Sequence, residues 1–249
     1  MIRLMTDEKD FLVFRENPFA VRICGLREAY GTAARFALFW RQFSSEGEAV
    51  AWLSSCDGDF TLDATDRADF AELALFLQSV GGRACLLSYA AAAALDIEAE
   101  ERLTILSRPG EGGGALPTRP VDYPALYALL QNGGEATAPP PYEAWYPDLC
   151  HRVRHGAAAA EILREASGRA VAAALAAFLA PQGALLSGVA ILPEERGRGL
   201  GRRVVEELMT RLPEGRPVFV LARGEAVGFY TRLGFVPAGE AAVSHIANA

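Results

Sequence analysis

Apolar residues recur along this chain with two periods, one typical of strands and one typical of helices, and the two periods alternate. The early part predicts a helical segment near Phe11–Tyr30, strands near Phe36–Arg41, Glu48–Ser54 and Asp59–Leu62, a helix Arg67–Val80, a strand Arg83–Ser88, a helix Tyr89–Leu95 and a strand Leu103–Ser107. Strands that alternate with helices are typical of an α/β arrangement.

The later part of the chain repeats this alternation. It predicts a strand Leu116–Arg119, helices Tyr123–Gln131 and Tyr142–His155, a strand Ala158–Arg164, apolar strands Ala170–Ala180 and Ala184–Leu192, a helix from residue 200, a strand Val218–Ala222, a helix Glu225–Leu233 and a last strand from Phe235. Pro181-Gln182-Gly183 reads as a tight turn between antiparallel strands. The alanines of the first apolar strand favour a helix on propensity alone, so that strand is predicted from its context.

A glycine-rich run, Pro109 to Gly114, separates the two parts. Its unrestricted backbone and lack of apolar residues are typical of a connection between domains. We therefore expect a first lobe at residues 1–108, a linker at 109–114 and a second lobe at 115–249, with a proline-rich loop from Asn132 to Pro141 inside the second lobe.

Composition narrows the classes of protein. The chain has 249 residues, 51% of them hydrophobic, and residues 1–114 hold 18 acidic and 11 basic side chains, which accounts for the whole formal charge of −7. Neither half is basic enough to predict nucleic acid as a partner. The longest apolar run, Ala170–Ala180, is far shorter than the roughly 20 residues that cross a bilayer.

The start of the chain and its cysteines predict a compartment. The first ten residues turn acidic before any apolar segment, so they do not resemble a secretory signal. The four cysteines are widely spaced, a pattern that suits neither a disulfide framework nor a zinc site. We expect reduced thiols, a cytoplasmic protein and no membrane partner.

The motif that carries chemistry is Arg196-Gly197-Arg198-Gly199-Leu200-Gly201. It lies between an apolar strand and an amphipathic helix, where backbone N–H groups at a helix N-terminus can hold a pyrophosphate. Arg196, Arg198, Arg202 and Arg203 add positive charge there. The alternative is a sharp strand-to-helix corner without a ligand; the dinucleotide-binding and P-loop patterns do not match.

The segment Val189 to Gly201 resembles the signature of the GNAT superfamily of acyl-CoA N-acyltransferases: an apolar strand, a proline, and a basic residue leading into a glycine-rich turn. About thirty residues later, Gly228-Phe229-Tyr230-Thr231-Arg232-Leu233-Gly234-Phe235 resembles the second landmark of that family. The resemblance covers residues 115–249 and implies a GNAT acetyltransferase domain with acetyl-CoA as co-substrate and a small-molecule or peptide amine as acceptor. Residues 1–108 resemble a degenerate GNAT lobe, so the expected fold is an α/β (α+β) one, with two lobes in tandem and mixed, mostly antiparallel sheets flanked by helices.

The resemblance also implies roles for individual residues. Backbone groups of Val189, Ala190 and Ile191 pair with the pantetheine arm, and the phosphates contact Arg196, Gly197, Arg198, Gly199, Leu200, Gly201 and Arg202. Tyr230 is the catalytic acid that protonates the departing thiolate; its alternative is a packed aromatic residue. The chain departs from the family pattern in two ways. Arg223 stands where an asparagine is common. The strand before the loop has Leu185, Ser187 and Val189 in the region where some members of the family carry a glutamate base. Any base must come from elsewhere or act through water.

Three polar residues on one predicted helix are candidates for the acceptor site. Asp148, His151 and His155 stand at i, i+3 and i+7 and share a helix face, and the family's corresponding segment walls that site. Their alternative is a hydrogen-bonded surface, and a metal site is not expected because no further ligand cluster accompanies them.

In the first lobe, the segment that matches the glycine loop reads Asp63-Ala64-Thr65-Asp66-Arg67-Ala68-Asp69. Its three carboxylates and lack of glycine predict that this lobe binds no coenzyme A, because like charges repel a pyrophosphate. It is expected to pack against the second lobe or to complete its acceptor site. Competing functions are a non-catalytic coenzyme A-binding module and a transferase for a longer acyl group. The sequence selects neither the acceptor nor the oligomeric state.

Overall fold

A computed structural model of the chain describes residues 1–7, 15–112, 120–133, 138–212 and 214–246. The predicted strand Leu116–Arg119 lies outside these residues. The first helix is shorter than predicted: it begins at Pro18, because Asn17 caps it by accepting a hydrogen bond from the Ala20 N–H at 2.8 Å. Proline at the first helical position suits that start.

The elements otherwise follow the predicted order, with small shifts at their ends. The first half contains β1 (Ile2–Leu4), α1 (Pro18–Tyr30), β2 (Ala37–Phe43), β3 (Ala49–Cys56), β4 (Asp59–Ala64), α2 (Phe70–Val80), β5 (Ala84–Ser88), α3 (Tyr89–Ala94) and β6 (Glu101–Pro109). The second contains α4 (Tyr123–Gly133), α5 (Tyr142–Arg154), β7 (Ala159–Arg164), β8 (Ala170–Ala180), β9 (Gly183–Ile191), a 3-10 turn (Pro193–Glu195), α6 (Leu200–Met209), β10 (Pro217–Ala222), α7 (Glu225–Arg232) and β11 (Val236–His245). The three-residue β1 has no counterpart in the sequence prediction.

All of these strands join one mixed sheet, in the order β1-β2-β3-β4-β5-β11-β6-β10-β9-β8-β7. The pairs β4–β5 and β9–β10 are parallel, and the other neighbours are antiparallel. The predicted mixed, mostly antiparallel architecture is thus confirmed, and the two sheets of the prediction are continuous.

The two halves of the chain exchange their last strands. β6 does not pair with β5 but lies between β10 and β11, and β11 pairs with β5. The predicted boundaries at residues 109–114 stay a prediction, but each lobe's sheet contains a strand from the other side of that linker.

The helices cover the sheet unequally on its two faces. On one face, α1, α4 and α5 pack on a single hydrophobic core that takes residues from both halves. On the other face, α6 and α7 cover a core of the second lobe, and α2 and α3 cover a core of the first lobe.

Helix α1 belongs to the first half by sequence but also packs on β8 and β9 of the second. The contact is close at Gly25, where a Cβ atom would lie 3.2 Å from the Leu179 carbonyl oxygen and from Phe178 Cβ. Glycine therefore lets the first lobe reach the sheet of the second.

Candidate active site

The parallel strands β9 and β10 separate before either one ends. Their register joins Ala184–Leu186 to Val218–Val220, after which β9 continues to Ile191 and β10 to Ala222. On its other edge β9 remains paired with β8 as far as Ile191. The edge of β9 from residue 187 to 191 that faces β10 therefore presents backbone groups for a ligand to pair with. The predicted pantetheine-binding residues Val189, Ala190 and Ile191 lie on this segment.

A cavity of about 810 Å³ opens where these strands part. Phe229 and Tyr230 of α7 line it from one face of the sheet, and Arg22 of α1 and Phe178 of β8 line it from the other. Because α1 and α7 pack on opposite faces, the cavity passes through the gap in the sheet. It therefore connects the glycine loop side with surfaces contributed by the first lobe.

The glycines of the loop serve two purposes. Gly197 and Gly199 have φ angles of 77° and 75°, and a Cβ atom at either would meet nothing within 4 Å. They allow a left-handed backbone and leave the space before it open. At Gly201, by contrast, a Cβ atom would lie 3.1 Å from Ile191 Cδ1 and 3.2 Å from Phe229 Cε2, so this glycine lets α6 pack beside β9 and α7.

The N-terminus of α6 suits an anion. Gly199 occupies the cap position and no side chain caps the helix. The first helical hydrogen bond runs from the Arg203 N–H to the Gly199 carbonyl oxygen at 3.1 Å. The N–H groups of the preceding turn have no intrahelical acceptor, and the helix dipole adds positive potential there.

The arginines of this loop contribute less free charge than the sequence predicts. Arg198 pairs with Glu195, Arg202 with Glu206 and Arg203 with Glu207. Glu195 is buried and also accepts a hydrogen bond from Arg169 at 2.7 Å. The backbone N–H groups therefore carry much of the anion-binding capacity, and the ion pairs hold the loop in shape.

Tyr230 lies in α7 with its ring buried between Phe229 and Phe235, at centroid distances of 5.0 and 5.5 Å. It lines the cavity, and in the described part of the chain its hydroxyl has no hydrogen-bond partner. Burial raises the pKa of this phenol well above its usual value. The phenol therefore holds its proton at neutral pH and can donate it.

Arg223, the departure from the family pattern, forms an ion pair with Glu101 of β6. Both side chains line the cavity at the end of β10. The position thus links the second lobe to the exchanged strand.

Asp148 and His151 of α5 contact α1, His155 follows the last residue of the helix, and none of the three lines the cavity. Asp148 accepts hydrogen bonds from the Tyr30 hydroxyl and from Arg152. The Nε2 atom of His151 lies 2.8 Å from the Ala29 carbonyl oxygen, and the Nδ1 atom of His155 lies 2.9 Å from the His151 carbonyl oxygen. The structure places them at the junction of α1 and α5, so an acceptor-contacting role for them stays a prediction without support from the cavity. Among the described residues, no group of three or more His, Cys, Asp or Glu is placed to hold a metal ion.

The matching turn of the first lobe is closed by its own side chains. Asp69 caps α2 by accepting from the Glu72 N–H at 3.0 Å, and Gln42 bonds both to the Asp69 carbonyl oxygen and to its N–H at 2.9 Å. Asp63 is buried, where it contacts Arg15 at 3.0 Å and Asn17 at 3.1 Å.

Three residues near the site were not predicted from the sequence: Arg22, Phe178 and Glu195. Arg22 and Phe178 come from distant parts of the chain and meet only through the packing of α1 on β8. Glu195 precedes the glycine loop, but an acidic residue beside a phosphate site gives no signal of its structural role.

A splayed pair of parallel strands, an open glycine loop and a cavity-lining tyrosine are compatible with the resemblance to the acyl-CoA N-acyltransferases. Comparison with known proteins agrees: residues 158–237 match the family model described as an acetyltransferase (GNAT) domain. The match covers 80 of the 249 residues, all in the second half of the chain. No curated protein matches the sequence.

Solved structures extend the likeness to the whole chain. A tandem GNAT protein from the clavulanic acid biosynthesis pathway, solved without AcCoA, has a TM-score of 0.58 at 14% identity and covers 100% of this chain and 99% of its own. A GCN5-related N-acetyltransferase from Sphaerobacter thermophilus has a TM-score of 0.60 at 14% identity, with coverages of 100% and 97%. One from Kribbella flavida has a TM-score of 0.54 at 16% identity, with coverages of 91% and 95%. The tandem arrangement of two GNAT-like lobes is therefore the fold of this chain. In the part that the structure describes, each helix is too short or too polar to cross a membrane.

Proposed function

We propose that this protein is an N-acetyltransferase that transfers the acetyl group of acetyl-CoA directly to a primary amine in a ternary complex. The observation that carries the proposal is the cavity through the sheet, which is lined by the open edge of β9 and by Arg196, the residue that leads into the turn before the uncapped start of α6. An anionic cofactor with a long amide-bearing arm matches that combination: N–H groups for its phosphates and a strand edge for its amides.

Each predicted site residue then has a task. The turn from Arg196 to Arg202 holds the pyrophosphate, and backbone groups of Val189, Ala190 and Ile191 pair with the pantetheine arm. The amine nitrogen forms a bond to the acetyl carbon while the carbon–sulfur bond breaks. Tyr230 supplies the proton that the leaving thiolate takes up. The phenol is protonated at neutral pH, as a proton donor must be, and it lines the cavity.

The remaining assignments concern the two lobes. In this proposal residues 115–249 form the catalytic lobe, and residues 1–108, joined to it through 109–114, bind no coenzyme A and complete the acceptor side through α1. We also propose a cytoplasmic location. The four cysteines are free thiols, which fits reducing conditions.

The decisive experiment is a screen of an amine library with acetyl-CoA, monitored by release of free thiol and confirmed by mass spectrometry of the acetylated product. We expect amine-dependent thiol release at a rate well above that of acetyl-CoA hydrolysis. Coenzyme A binding without acetylation of any amine would instead identify a non-catalytic binding module. Faster turnover with a longer acyl-CoA would identify a different acyl donor.

A further inference from the structure

The acceptor end of the cavity contains a cation without a counter-ion. Arg22, on α1, lines the cavity, and its Nε atom is fully buried without a hydrogen-bond partner. Among the described residues Arg22 forms no ion pair, and its guanidinium carbon lies 5.0 Å from the centroid of the Phe178 ring. Burial lowers the pKa of Arg22 and the charge of Arg152 lowers it further, with the charges of Asp59 and Asp148 acting in the opposite direction.

A neighbouring arginine shows how this fold satisfies a guanidinium when the role is structural. Arg152 also lies over the Phe178 ring, at 4.8 Å. It is ion-paired to Asp148 and donates a hydrogen bond to the Ala177 carbonyl oxygen at 2.5 Å. Arg152 is therefore satisfied within the protein, whereas Arg22, on the same ring, is not.

Two of the three carboxylates that line the cavity with Arg22 are paired with other arginines, and the third, Glu225, lies in the first turn of α7 on the opposite face of the sheet from α1. Asp59 is paired with Arg83 at 3.2 Å, and Glu101 is paired with Arg223. An uncompensated guanidinium at a partly desolvated site is unfavourable, and a ligand carboxylate relieves that cost through two parallel charge-assisted hydrogen bonds.

We infer that Arg22 binds a carboxylate of the acceptor, so that the acetylated amine belongs to an amino acid. This inference rests on the proposed acetyl transfer and specifies its substrate class. The first lobe then contributes the group that selects the acceptor, while the second lobe holds the cofactor. The cavity of about 810 Å³ has the size of small-molecule sites, and residues of both lobes line it.

The test compares amines that differ only in charge at the carboxyl position. Free L-amino acids, their carboxamides and dipeptides are assayed with acetyl-CoA against the wild type, Arg22→Met, Arg22→Lys and the control Arg27→Met. Arg27 lies on the same helix, pairs with Glu28 and does not line the cavity. In the wild type we expect kcat/KM for the acid to exceed that for its carboxamide by about 10- to 100-fold.

Arg22→Met should abolish this preference by slowing acids while leaving carboxamides and coenzyme A affinity near wild type. Arg22→Lys should retain part of it because it keeps the charge but loses the planar pair of donors. Dipeptides that react as well as free amino acids would place the recognised carboxylate in a peptide. Acids and carboxamides that react equally with the wild type, or an equal loss for both in Arg22→Met, would overturn the inference.

A binding measurement separates this inference from the proposed function. In the presence of coenzyme A, the amino acid should raise the Tm of the wild type and of Arg27→Met but not of Arg22→Met. A shift that persists in Arg22→Met refutes the role of Arg22 whether or not turnover occurs. Absence of coenzyme A binding and of acetylation with every amine would refute the proposed function itself.

Discussion

The two strand-to-helix turns of this molecule, β9–α6 and β4–α2, follow the same topology and have opposite chemistry. In the second lobe the turn contains Gly197 and Gly199, and the helix start has no side-chain cap. In the first lobe the turn has no glycine, and Asp69 and Gln42 satisfy the helix start. A helix N-terminus is therefore a ligand site only when the protein does not cap it itself.

The parallel strands show the same contrast. The register of β4 and β5 ends at Thr61 and Leu86, although both strands continue, so the first lobe retains a splayed pair. There, however, the buried Asp63 with Arg15 and Asn17 lies on the strand that precedes the turn. The splay is a property of the fold, and the residues beside it decide whether it binds anything.

The largest expected effect comes from placing a carboxylate at the helix cap of the second lobe, where Gly199 stands, as Asp69 does in the first lobe. Gly199→Asp should raise the Kd for coenzyme A by about 100-fold or more, because a like charge then faces the pyrophosphate. Calorimetry provides the measurement, and the wild type should bind one coenzyme A per chain. Gly47→Asp is the matched control, since Gly47 has a φ of 83° and open space around it in a distant turn. Two sites per wild-type chain, or an unchanged Kd for Gly199→Asp, would contradict the comparison.

The helices that follow the second strand of each parallel pair, α7 after β10 and α3 after β5, also differ, and this difference tests the proposed catalytic acid. Tyr230 lines the cavity from α7, whereas the only tyrosine of α3 is Tyr89 at its start, over which Arg102 lies at 4.2 Å. Tyr230→Phe should lower kcat by about 10²-fold with little change in coenzyme A affinity, while Tyr89→Phe should keep wild-type kinetics. Since the active form is protonated and burial raises its pKa, the alkaline loss of kcat should lie above the ordinary tyrosine range of about 10. A kcat that survives in Tyr230→Phe removes this residue from the mechanism.

A smaller effect concerns the carboxylate buried in the first lobe. Burial raises the pKa of Asp63 to about 6, against the opposing influence of Arg15 and Asn17. The folded state therefore holds this proton more tightly than the unfolded state, and the resulting stabilisation is present at low pH and is lost as the pH rises through 6. The difference in free energy of unfolding between Asp63→Asn and the wild type should shift in favour of Asp63→Asn, by on the order of 1–3 kcal/mol, as the pH rises from 4 to 7. Denaturant titrations measure this gain, with the exposed Asp66→Asn as control; parallel pH profiles would refute it.

The smallest expected effect concerns the side-chain cap that Asp69 provides at the start of α2. Asp69→Ala should destabilise the protein by about 1 kcal/mol, or about 2–4 °C in Tm, through loss of the hydrogen bond to the Glu72 N–H. Coenzyme A affinity should be unchanged. Asp66→Ala, which alters an exposed neighbour, should leave Tm within about 1 °C. A new coenzyme A site in Asp69→Ala would show that the cap alone had closed the first lobe.

Most of the helices and strands could be predicted from the sequence, because the spacing of apolar residues along an element reflects which of its residues are buried. β8 is instructive: its alanines favour a helix, yet Ala173 and Ala177 face one core while Ala172, Ala174 and Ala176 face the other. A strand covered on both faces loses polar alternation, and small side chains allow the close approach of α1.

The sequence could not reveal which distant elements become neighbours. The exchange of β6 and β11 depends on pairing between segments more than a hundred residues apart, to which no local pattern responds. The role proposed for Arg22 could not be predicted from the sequence either. An arginine on an apolar helix can be interpreted only when the structure shows which residues surround it. The glycine motif predicts the cofactor side of the proposed site because its geometry is local, whereas the proposed acceptor side depends on tertiary packing.

The exchanged strands also constrain how the chain reaches its folded state during synthesis. The edge of β5 that β11 covers stays open until residues 241–245 have left the ribosome, although β5 itself emerges more than 150 residues earlier. Since an unpaired edge invites association with other chains, the nascent first lobe needs protection until β11 has been synthesised. The first lobe therefore completes its sheet only after the second lobe has been made.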